Sequence, residues 1–191
     1  MTCTLAAAHY ANVAPFHKAI MRELVRLFTD ITLLRRGPQD LPASPLLLAL
    51  TIGAYLVICE IASELVPQQH LLAQGLLYAL CTMAWYAVLL RLSGRPERTL
   101  QTVTGLFAVQ ILLTPPQLVA AVLLQRFPQD SPTALPILTA GFLIFIWLVA
   151  ASSRIVKAAL EWTTLASVGV TLLQVLTTEL LVLAVIHPER S

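Results

Sequence analysis

The sequence predicts an all-α integral membrane protein, a bundle of about five transmembrane helices preceded by an amphipathic interfacial helix. Three observations predict it. Only 12% of the 191 residues are charged and 58% are hydrophobic, whereas a soluble domain carries about 25% charged residues. The mean hydropathy is +0.80. Five apolar runs fill the chain from Leu46 to Ile186, each longer than the roughly 18 residues needed to cross a 30 Å hydrocarbon core.

The N-terminal region, 1–45, reads as a cytoplasmic tail. Within it, 16–36 has helical periodicity. At about 100° per residue, Ile20, Leu24, Leu27, Phe28, Ile31 and Leu34 share one arc, and Lys18, Arg22, Arg26 and Arg36 gather opposite. An apolar stripe against a basic face suits a helix lying on anionic lipid headgroups. The same stripe also suits docking on the ends of the spans. Met21 opens this pattern more cleanly than Met1, and residues 1–19 lack the apolar core of a cleavable signal. Gly37-Pro38 stops the helix, and a proline-rich linker leads to the first span.

The expected spans are 46–66, 71–92, 100–125, 135–156 and 162–186, with 187–191 as a short external C-terminus. The boundary after the fourth is set by charge. Arg154, Lys157 and Glu161 would each cost about 2.5–3.5 kcal/mol near the bilayer centre, which places them at the interface. Five basic residues precede the first span, three (Arg91, Arg95, Arg98) lie between the second and third, and Arg154 and Lys157 follow the fourth. That puts ten of the twelve on one side, with Arg126 and Arg190 on the other. The positive-inside rule makes the ten-residue side cytoplasmic, so the N-terminus is cytoplasmic and the C-terminus periplasmic, in a multi-pass inner-membrane protein. Trp85, Trp147 and Trp162 fall toward the cytoplasmic ends, as an interfacial belt would.

Polar groups inside spans are the candidate functional residues, because lipid penalises them. Glu60 and Glu179 sit at similar depth in the outer half, Gln110 and Gln174 nearer the middle, and His70 at an outer mouth. They read either as a protonatable pair lining a cleft for a proton or cation, or as hydrogen-bonding glue between helices. A stripe of Thr164, Ser167, Thr171, Gln174 and Thr178 on the fifth span points into the bundle or at a partner. Ala49 and Gly53 form a small-residue pair on the first span. Pro115-Pro116 removes two backbone donors from the third span, which predicts a kink or break.

Catalysis has no signature here: GxSxG, HExxH and P-loop motifs are all missing, and the histidines are scattered. The three cysteines lack metal-site spacing, so no metal and no cofactor is expected, and Cys59 and Cys81 read as packing residues. No basic tract with interleaved aromatics suggests nucleic acid. The expected partners are anionic lipid and a protein in the membrane, either another chain or a second copy. The leading functional reading is a non-catalytic scaffold or accessory subunit of a membrane complex. The alternative is a small transporter or ion- or proton-conducting protein using Glu60 and Glu179.

Three stretches carry a family resemblance: GPQDLPASP before the first span, GRPERTLQTVTGLFAVQILLTPPQL from Gly94 to Leu118, and IWLVAASSRIVKAALEWTTLASVGVTLL from Ile146 to Leu173. In these the chain resembles a bacterial relative of the five-span Ypt-interacting membrane proteins of the eukaryotic secretory pathway. The resemblance implies five spans, a cytoplasmic N-terminus and no enzymatic activity. In eukaryotes it also implies binding of small GTPases. The N-terminal segment here is shorter than the cytoplasmic region used there, and no binding residue carries over.

Overall fold

The computed structural model describes residues 22–23, 26–33, 39, 41–66, 71–127 and 132–186. Five long helices make up the membrane domain: α1 (Pro45–Leu65), α2 (Leu71–Leu92), α3 (Thr99–Arg126), α4 (Ala134–Leu160) and α5 (Thr164–Ile186). All five are long and apolar enough to cross a membrane. Their 21 to 28 residues reach about 31–42 Å at 1.5 Å per residue. No strand occurs among the described residues. The start of α1 has a local cause: Pro45 occupies the first turn, and Ser44 accepts the Leu47 N–H at 3.3 Å.

α2, α3, α4 and α5 form a closed ring, each packed on the next, and α1 lies outside against α2 and α3. The core sits toward one end. From Thr102 to Val109 every residue of α3 is buried, because α1 covers one flank, α2 and α4 the others, and Leu41 reaches the remaining side near Gly105. Phe107 is wholly enclosed, 5.3 Å from the Tyr55 ring centroid. The other half of the bundle is looser: Leu135, Phe142 and Leu143 on α4 are 59–71% exposed, which is the face a helix turns to acyl chains.

α1 and α2 approach closely at a pair outside those expected: a Cβ at Gly75 of α2 would lie 2.8 Å from Cys59 Sγ of α1, so a larger residue there would force Cys59 to move. Ala49 and Gly53 instead face outward, and a Cβ added at Gly53 would meet no other group within 4 Å.

Two expectations change. The fourth helix runs four residues past 156 to Leu160. Arg154 and Lys157 are exposed while Ile155, Val156, Ala159 and Leu160 stay buried, so the helix continues without exposing its apolar face. The third helix is continuous through Pro115 and Pro116, which both lie in its second half, Pro116 exposed and Pro115 exposed as well. Of the expected kink or break, there is no break.

The N-terminal apolar stripe turns to protein where it is described. Residues 26–32 are helical, Ile31 is 1% exposed, and Leu27 and Phe28 pack on the core. Trp147 Nε1 donates to Thr32 O at 3.2 Å, pinning this segment to α4. Docking therefore describes Leu27, Phe28 and Ile31, with Arg22 and Arg26 left exposed. Lys18 and Arg36 lie outside the described residues.

At the same end the α2–α3 and α4–α5 connections are clamped together. Arg95 and Arg98 pair with Glu161 at 2.6 and 3.0 Å. Arg98 Nη1 also donates to the α4 C-terminal carbonyls of Ala158 and Ala159, at 3.2 and 3.1 Å, where the helix carries partial negative charge. Glu161 closes α4 in the left-handed region (φ 56°) and donates its N–H to Lys157 O. Hydrogen bonds from Arg95 and then Arg98 hold its carboxyl down at about 2, so it is ionised throughout the neutral range.

Candidate functional site: a polar cluster inside the four-helix ring

Each of the four ring helices sends polar side chains inward. On α5, Ser167, Thr171, Gln174 and Thr178 recur at steps of three and four, and all are 0–3% exposed. Thr164, which begins the stripe, is exposed and accepts from Lys157 Nζ at 2.8 Å. Tyr78, Thr82 and Tyr86 on α2 stand one above another at four-residue steps and face α5. Gln110 enters from α3 and Ser152 from α4.

These groups largely satisfy one another. Gln110 Nε2 donates to the Tyr78 hydroxyl at 2.6 Å. Gln174 Nε2 donates to Thr82 Oγ1 across the α2–α5 contact at 3.1 Å, and to Thr178 Oγ1 at 3.2 Å. Thr171 donates back along its own helix to Ser167 O at 2.9 Å. Local back-bonding of this kind lets hydroxyls sit in lipid at little cost. At the centre is a cavity of about 20 Å³. The Tyr86 hydroxyl, at its wall, is buried and makes no hydrogen bond.

Of the residues singled out from sequence, the ring therefore brings Gln110 and Gln174 together. It does not bring the carboxylates. Glu60 and Glu179 are both exposed on the outside of their helices, and neither lines the cavity. Glu179 is within electrostatic reach of Tyr55 and Tyr78. Glu60 lies five residues from the end of α1, about 7 Å by helical rise, and Glu179 seven from the end of α5, about 10 Å. His70 falls outside the described residues. The α2 row of Tyr78, Thr82 and Tyr86 was missed, although its i, i+4, i+8 spacing is the signal that revealed the α5 stripe.

The chemistry on offer is hydrogen bonding. Among the described residues no three His, Cys, Asp or Glu side chains cluster as metal ligands, and the polar groups in the cavity wall are hydroxyls and amides. Compared with known proteins, the chain matches no family model, no curated protein and no solved structure.

Proposed function

We propose that this chain is a non-catalytic scaffold or accessory subunit of a complex in the inner membrane, held there by its five-helix bundle. The outward placement of Glu179 carries the proposal. A carboxyl in a span costs free energy against lipid, and such residues almost always face protein or a water-filled cavity. Glu179 is exposed and outside the cavity, about 10 Å below the helix end, which is deeper along its helix than Glu60. A neighbouring transmembrane helix bringing a donor to that face would satisfy it. The exposed Ala49 and Gly53 of α1 would allow close approach by the same or another partner. The resemblance to Ypt-interacting proteins supports the same reading, and Arg22 and Arg26 are free to meet anionic headgroups beside the docked N-terminal segment.

The test is native purification in mild detergent with mass spectrometry of wild type, Glu179→Gln and Glu179→Leu. Wild type carries a bound membrane protein, or a second copy of itself. Gln, which keeps the hydrogen-bonding capacity of a neutral carboxyl, retains the partner, and Leu releases it without lowering Tm. If all three purify as bare monomers, the subunit reading fails. The transporter alternative then leads, with the polar cavity in its favour, and proteoliposome flux decides it.

Orientation is proposed from charge. Of the described basic residues, Arg91, Arg95, Arg98, Arg154 and Lys157 gather at the end where the clamped loops lie, and Arg126 is at the other. Reporter fusions after Lys157 are expected to report cytoplasm, and fusions after Arg190 the periplasm. A cytoplasmic signal after Arg190 would rule out this arrangement.

A further inference from the structure

We infer that the cavity inside the ring is a hydration site, occupied by one ordered water that ties α2, α4 and α5 together. Its volume, about 20 Å³, exceeds the roughly 10–15 Å³ needed for one water. Size alone would leave it empty, since apolar cavities stay dry. This one is walled by hydroxyls from three helices: Tyr86 on α2, Ser152 on α4 and Thr171 on α5.

Tyr86 supplies the second, independent observation. Its side chain is 1% exposed and its hydroxyl has no hydrogen-bond partner. Thr171 Oγ1 lies near hydrogen-bonding reach of that hydroxyl, but the pair makes no bond of good geometry, and the Thr171 proton goes to Ser167 O. A phenol oxygen desolvated on all sides without a partner is unfavourable in a dry interior. One water resolves this: it accepts from Tyr86 and donates to Thr171 Oγ1, with Ser152 as a third partner. That meets the two to four partners a buried water makes. The occupant is uncharged, because no carboxylate lines the wall among the described residues. The inference is independent of the proposed subunit role.

The sign of one substitution tests it. If the hydroxyl is hydrated, Tyr86→Phe removes a bond from the water and lowers Tm, by about 2–4 °C for one hydrogen bond in a chain of this size. If the cavity is dry, the same change deletes an unsatisfied hydroxyl and Tm stays level or rises. The companion measurement is a structure of the full chain at a resolution that shows ordered water, with a peak expected about 2.7–3.0 Å from Tyr86 Oη. A level or raised Tm overturns the inference. So does density showing an empty cavity, or Tyr86 bonded directly to Thr171 with no water between.

Discussion

Phe107→Ala is expected to destabilise the folded bundle by about 3 kcal/mol, the low end for truncating a buried phenylalanine. The low end applies because a membrane helix leaves lipid, not water, when it packs. The transfer part of the usual cost is small, and lost contacts plus the new cavity dominate. Phe107 is 0% exposed, touches the Tyr55 ring and sits in the fully enclosed stretch of α3. Phe142 is the internal control: it is 63% exposed on α4, so Phe142→Ala removes lipid contacts that lipid replaces, and its effect stays near zero. Equilibrium unfolding of the two variants in mixed micelles measures the difference. Equal losses would mean that the core does not lie around the first half of α3.

The second large effect separates packing from hydrogen bonding at Gln174. Interhelical hydrogen bonds in a membrane average only about 0.6 kcal/mol, because the separated helices also find partners. Deleting most of a buried side chain beside an existing cavity costs more, so Gln174→Ala is expected to lose about 2 kcal/mol. Gln174→Leu keeps most of the volume and gives up only the bonds to Thr82 and Thr178. Those hydroxyls can turn to their own helix carbonyls, and the loss is held to about 0.5–1 kcal/mol. Leucine as damaging as alanine would show that the Thr82–Gln174 bond, and not the filling of the ring, holds α2 to α5.

Much of the site was legible along the chain because polar residues in an apolar span stand out at helical spacing. Thr171, Gln174 and Thr178 were found that way, and they are buried together. Tyr78 and Tyr86 were not, because tyrosine is common in apolar helices and at membrane interfaces for its ring, and its hydroxyl adds little to a polarity pattern. Glu60 and Glu179 misled for a related reason. Equal depth in two spans says nothing about azimuth, and their helices are rotated so that both carboxyls face out.

By itself the sequence determined that five helices cross a membrane and which residues within them are polar. Those properties depend on the length of each apolar run measured against a fixed bilayer thickness, and they need no knowledge of neighbours. Only the tertiary structure decided which side of each helix turns inward. In lipid both sides are apolar, so hydrophobicity exerts almost no torque, and close packing with hydrogen bonding selects the face. That selection put Gly75 against Cys59, left Ala49 and Gly53 outside, and buried Ile31 of the N-terminal segment. It also let α4 run on to Leu160, because its apolar side stays covered there while Arg154 and Lys157 are exposed.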